Sequence, residues 1–239
     1  MLKQYPGFSE VSAIASMFFF PKKNFVSPKG FTLSYFIYRI LRPILKLNYK
    51  IFKFQNQGTP WTSQASILIF KEVLNKKMVG LEYGSGKSTV FFASRLKKLV
   101  SIEHNKEWYD LVKNLLENKK ISNVEYIFVP KNLKLKDATL QFHDSHDIKD
   151  RHFRIRSDYE NYFETVNNYP DNYFDFILID GRARVECTFN SLTKLKPGGM
   201  LVLDNSERKR YRPIHKHLSD WPCITTTTGL TDTTLWFKP

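Results

Sequence analysis

With 239 residues, 42% of them hydrophobic, the chain can bury one full-size core, which excludes a disordered chain. Its formal charge of +14 calls for an acidic partner: nucleic acid, an anionic membrane surface or an anionic substrate. Two distant cysteines, Cys187 and Cys223, exclude a disulfide scaffold or a cysteine metal framework and fit a reducing, cytoplasmic setting.

Residues 1–30 read as irregular, punctuated by Pro6, Pro21, Pro28 and Gly30. The apolar run "VSAIASMFFF" is too short to span a bilayer, and no basic cluster precedes it as in a signal peptide. From Val11 to Lys71 there is no acidic residue, and nine cations in that stretch supply most of the net charge. Within 31–54 a helix is expected, divided at Pro43. Arg39, Arg42, Lys46, Lys50 and Lys53 fall on an arc of roughly 80° of that helix, with apolar residues filling most of the rest. Residues 1–60 are therefore read as a basic, partly helical extension and 61–239 as the main domain.

From residue 62 the pattern alternates. Helices are expected over 62–76, 88–98, 106–120, 187–195 and near 209–220. Strands are expected over 77–83, 99–105, 123–130, 174–180 and 200–205, with a closing pair in 223–230 and 233–239. This order predicts an α/β fold with a doubly wound, mostly parallel seven-stranded sheet and a C-terminal antiparallel hairpin. Residues 131–170 read as a polar insertion on the substrate side.

The stretch "GLEYGSGKST", Gly80–Thr89, raises two readings. A nucleotide P-loop needs Gly, four residues, then Gly-Lys-Ser/Thr, which would put the first glycine at position 81, where Leu81 stands. The alternative is acid-x-Gly-x-Gly: Glu82, Gly84, Gly86 at a strand-to-helix turn, with Glu103 ending the next strand 17 residues after Gly86. Position 89 is Thr, so no complete Gly-x-Gly-x-x-Gly is present and a nicotinamide or flavin ligand is disfavoured.

With "LEYGSGKST", "VSIEHNKEWY", "FDFILIDGRARVEC" and "LKPGGMLVLDN" in this order, residues 62–239 resemble the class I, Rossmann-like methyltransferases that use S-adenosylmethionine. The likeness is nearest to members that methylate an oxygen of a small-molecule or glycan-type acceptor. It implies that Gly84, Ser85 and Gly86 lie along the methionine part of the cofactor. Glu82 and Ser88 would orient its amino-acid end, Glu103 would hold the ribose, and His104 would pack near the adenine. The adenine contact after the third strand falls in "VPKNLKLKD", where no residue stands out.

Asp180, Asp204 and Asn205 end the fourth and fifth strands, at the sheet edge where such folds bind ligands. Asp180 and Asp204 are the candidate catalytic carboxylates; a divalent metal held there, or plain backbone bonding and helix capping, remain alternatives. Arg182 is placed beside them, either steering an anionic substrate group or pairing with Asp180 or Asp204. The run "HDSHDIKDRH" matches no zinc spacing and reads as a surface loop. The basic stripe over 31–54 has three readings: a cover for the core, a contact with an anionic membrane surface, or, less favoured, RNA binding. A P-loop NTPase and a non-catalytic membrane scaffold stand as the rival functions.

Overall fold

The computed structural model describes residues 40, 43, 44, 47, 49–132, 146, 148, 153–227 and 231–239. Residues 1–39, and most of the His/Asp-rich run at 143–152, lie outside them, so the expectations made there rest on sequence alone. Helical backbone runs through 49–55, and the main helices are α1 (Gln64–Val73), α2 (Lys87–Ala93), α3 (Lys106–Asn118), α4 (Glu160–Glu164), α5 (Arg184–Ser191) and α6 (Arg212–His217). Seven strands form one sheet: β1 (Val79–Tyr83), β2 (Lys98–Glu103), β3 (Val124–Phe128), β4 (Phe174–Ile179), β5 (Leu195–Asp204), β6 (Cys223–Thr227) and β7 (Asp232–Phe237). Their order is β3-β2-β1-β4-β5-β7-β6. β1 to β5 pair in parallel, and β7 runs antiparallel to both β5 and β6. This is the expected Rossmann-like methyltransferase sheet.

Local chemistry sets the element ends. Ser63 caps α1 by accepting the Ser66 amide proton, and Asn105 caps α3 by accepting that of Trp108. Along β4, Phe176 and Leu178 face one core cluster while Ile177 and Ile179 face the other. That alternation is why an all-apolar strand needs cover on both sides. On one face, Phe70, Phe92 and Phe176 meet at ring distances of 4.9 to 5.8 Å. Each such buried ring contributes about 1.5–3 kcal/mol.

Three expectations need correction. Helix α5 begins at Arg184 and ends at Ser191, earlier at both ends than predicted. Strand β5 begins at Leu195, five residues before the expected start, and its register against β4 shifts between Phe174 and Phe176 where "PGG" interrupts regular pairing. The distal half of the insertion is part of the core: Tyr162, Phe163 and Val166 are buried in one cluster with residues of α5 and β4. Burying three apolar side chains there outweighs the polar look of the segment.

Register positions the site. Tyr83 pairs with Ile102 on one side and Ile179 on the other, and Ile179 pairs with Leu203. The next residues, Gly84, Glu103, Asp180 and Asp204, therefore form a row along the carboxyl edge of the sheet. β1 and β4 are the adjacent strands at which the chain order reverses, the switch point where such sheets bind ligands.

Candidate active site

The turn after β1 is built from its glycines. Gly84 has φ +91, and a Cβ there would lie 2.7 Å from the Gly181 backbone after β4. Only glycine meets both demands. The turn's amides are engaged within the protein: Gly84 donates to the Ile102 carbonyl at 2.9 Å, Ser85 to Glu103 Oε2 at 3.0 Å, and Gly86 to Thr89 Oγ1 at 2.9 Å. A triphosphate cradle needs such amides free and carries no flanking carboxylates. Here Glu82 and Glu103 both stand at the turn, so the geometry disfavours the P-loop alternative.

Glu103 is 3% exposed and faces the turn. Its Oε2 also accepts from the Ser85 hydroxyl at 3.1 Å, and its Oε1 accepts the His104 and Asn105 amide protons at 2.8 Å each. Burial acts against its charge, but hydrogen bonds from His104, Asn105 and Ser85 hold the carboxyl below its ordinary range. Glu82, on the opposite side of the turn, is fully enclosed. Burial pushes it up to about 7 against hydrogen bonds from Ser88, Thr89 and Ser101.

The donor set suits a nucleoside cofactor. Glu82 Oε1 and Asn132 Oδ1 are buried without hydrogen-bond partners among the described residues, at or just beyond the ends of β1 and β3. His104 Nδ1 lies 2.9 Å from Glu103 Oε1. The His104 ring packs edge-on against Tyr159 and Tyr162 of the insertion. Sequence reasoning missed two neighbours of the turn: Trp108 Nε1 donates to the Ser85 carbonyl at 2.6 Å, and the Tyr126 hydroxyl lies 2.6 Å from Ser85 Oγ. For Trp108 the available signal was the aromatic pair at the start of α3, in "KEWY"; Tyr126, in β3, carried none.

Asp180 and Asp204 converge at the neighbouring ends of β4 and β5, both against one guanidinium. Burial, then the facing Asp204, raises Asp180 above the usual carboxylate range, and burial likewise raises Asp204. Their cation is Arg184, which donates to Asp180 Oδ1 at 2.8 Å and to the main-chain oxygens of Asp180, Gly181 and Asp204. Its Nη1 lies 3.8 Å from Asp204 Oδ2. Arg182, the residue expected beside the pair, is exposed and makes neither contact. Asp204 also accepts from the Thr233 hydroxyl of β7 at 2.9 Å. With a guanidinium already against both carboxyls, this pair does not fit a divalent ion. Among the described residues no cluster of three acid, His or Cys side chains offers another metal site.

The helical stretch at 49–55 reaches the same edge. Lys53, Trp61 and Lys87 line a cavity of about 390 Å³ with Tyr49. Burial, then Asp204 and Asp180, pushes Tyr49 up to about 12, while burial lowers Lys53 to about 8.

A family model described as "Methyltransferase domain" matches residues 81–206, more than half of the chain. The chain belongs to that methyltransferase family. It is a class I, Rossmann-like methyltransferase with S-adenosylmethionine as its cofactor. No curated protein sequence matches it. Among solved structures, a putative caffeoyl-CoA O-methyltransferase from Staphylococcus aureus superposes with a TM-score of 0.50 at 14% identity, covering 84% of this methyltransferase and 92% of that chain. A precorrin 8W decarboxylase from Methanobacterium thermoautotrophicum gives 0.50 at 16% identity, covering 77% and 95%. At these identities the likeness concerns the fold alone.

Proposed function

We propose that this methyltransferase alkylates an oxygen of a small-molecule or glycan-type acceptor at the carboxyl edge of β1, β2, β4 and β5. One observation carries the placement of the cofactor: the Glu103 carboxylate is turned onto the glycine turn through the Ser85 amide and hydroxyl. Gly84, Ser85 and Gly86 would lie along the methionine portion, Glu82 and Ser88 would orient its amino-acid end, Glu103 would hold the ribose and His104 would border the adenine. When bound, S-adenosylmethionine supplies an electrophilic methyl group.

The chain's own contribution is placement and proton handling. Asp180, partly exposed beside Gly181, is positioned to accept an acceptor hydroxyl's proton on its carboxylate. Asp204 and Arg184 set that carboxyl's orientation and basicity. Arg182 faces the acceptor side. An oxygen acceptor is supported by this arrangement because a hydroxyl has a proton to lose as it attacks.

Calorimetry with S-adenosylhomocysteine tests the reading. The wild type should bind it, and Glu103→Gln should weaken binding at least tenfold, about 1.4 kcal/mol, through loss of a charged hydrogen-bond acceptor. Preference for ATP over S-adenosylhomocysteine would overturn it.

A peripheral contact with an anionic membrane surface is a second element of the proposal. Ile40, Ile44, Leu47, Ile51 and Phe54 are all exposed, at spacings of four and three residues that form one helical stripe. They stand in the acid-free, cation-rich segment, a combination suited to the lipid interface. Among the described residues no helix is long and apolar enough to cross a membrane.

A further inference from the structure

On the far side of Gly181 from the cofactor turn lies a second cavity of about 300 Å³. Its lining includes six arginines: Arg154, Arg156, Arg182, Arg184, Arg208 and Arg210. Two of them are neutralised. Arg156 makes a two-pronged bond to Asp158, both at 2.9 Å, and Arg184 is held by the acid pair. Arg208 is partly satisfied, bonding Asn205 Oδ1 at 2.8 Å with Glu207 3.9 Å away. Arg154, Arg182 and Arg210 have no acidic partner among the described residues. Arg210 is steadied from the side by the Tyr211 ring, 5.5 Å from its guanidinium.

Among the described residues, the one acidic side chain lining the cavity is Glu186. It is 1% exposed and already accepts the Arg156 amide proton at 2.6 Å. Ala183, Val185, Phe153 and Tyr211 supply an apolar, buried base. Charges over such a base are less screened than on an open surface. Three unmatched guanidiniums around one hollow exceed what a single carboxylate would balance. Their planar forks match phosphoryl oxygens, which accept paired N–H bonds.

We propose that this cavity binds a phosphoryl or pyrophosphoryl group of the acceptor, so that the substrate of the methyl transfer is a phosphorylated molecule. The inference rests on the acceptor side of the site lying at the β4 edge. Gly181 and Arg184 form a wall shared by the cavity and the Asp180–Asp204 pair, so a phosphate held by the arginines would leave the neighbouring part of the same molecule facing Asp180. The group can come from a soluble phosphate ester or from a lipid headgroup, and both present the same oxygens.

The full-length protein should be titrated with inorganic pyrophosphate and with inorganic phosphate at constant ionic strength, and S-adenosylhomocysteine should be titrated in parallel. Pyrophosphate should bind more tightly than phosphate. The double substitution Arg154→Gln, Arg182→Gln should weaken pyrophosphate at least tenfold and leave S-adenosylhomocysteine affinity within about twofold. Phosphatidylcholine vesicles with and without phosphatidic acid, sedimented with protein that also carries Ile44→Glu and Leu47→Glu to remove the N-terminal contact, separate the sources: loss of the remaining phosphatidate-dependent sedimentation on adding the double substitution assigns the group to a lipid, and its absence before that substitution, with pyrophosphate still bound, assigns it to a soluble ester. Pyrophosphate binding that is absent from the wild type, or equal in the double variant, would overturn the proposal while S-adenosylhomocysteine still binds. Loss of S-adenosylhomocysteine binding by the wild type would instead remove the cofactor placement. Arg210→Gln provides an independent check should the double variant fold poorly, with the same direction expected.

Discussion

Glu82 is enclosed between β1, β2 and the start of α2, and its carboxyl is raised from 4.5 to about 7. The folded state therefore binds this proton more tightly than the unfolded chain. The resulting stability is present below the unfolded value and is lost as pH climbs through 7. Glu82→Gln removes the titration. In paired thermal melts, the variant should gain on the wild type between about pH 4.5 and 7, levelling near 3 kcal/mol. A constant difference across that window would show that Glu82 carries no shifted proton. Asp180 gives a kinetic counterpart. A carboxyl raised by burial and by Asp204 is protonated at lower pH, so a general base at this position should give kcat/KM that rises with pH through neutrality. Asp180→Asn should lower the rate by about 10² or more and flatten that limb, as read from pH–rate profiles.

At the scale of elements, α5 ties the ends of β4 and β5 together through one side chain. Arg184 is 9% exposed and bonds the carboxyl or main-chain groups of Asp180, Gly181 and Asp204. Arg184→Met would leave two acids facing each other without a cation. Urea unfolding at pH 9 should show a loss of about 3–5 kcal/mol, shrinking by pH 6 as the freed pair takes up a proton. An equal loss at both pH values would mean that packing, and not charge, is what Arg184 supplies. This pairing was hidden in the sequence because it depends on α5 starting at Arg184, while the apolar pattern pointed to a start three residues later. The β4 strand and the glycine turn were legible because an unbroken apolar run and fixed glycine spacing are local signals. Tyr162 and Phe163 were harder to read: they lie in a polar stretch with no helical or strand period, and their burial is decided by distant α5 and β4. The six-arginine cavity was equally invisible, since its lining comes from segments near 154, 182 and 210 that meet only in the folded chain.

Along the sequence positive charge is concentrated in the N-terminal segment, where the exposed apolar side chains of the described residues also gather, while the carboxyl edge of the sheet carries buried acids. Flotation with vesicles containing anionic lipid should recover the full-length protein, and raised salt should weaken its attachment. Ile44→Glu with Leu47→Glu should reduce recovery at least fivefold without altering S-adenosylhomocysteine affinity. Unchanged flotation would reject this stripe as the contact. The order of the sheet has a different consequence. β7 enters between β5 and β6 and brings Thr233 against Asp204. The hydroxyl that steadies this carboxyl thus sits on a segment synthesised after every parallel strand from β1 to β5. The same strand supplies Trp236 to one core cluster and Leu235 and Phe237 to the other, so a single late segment completes both faces of the sheet and the acid pair together.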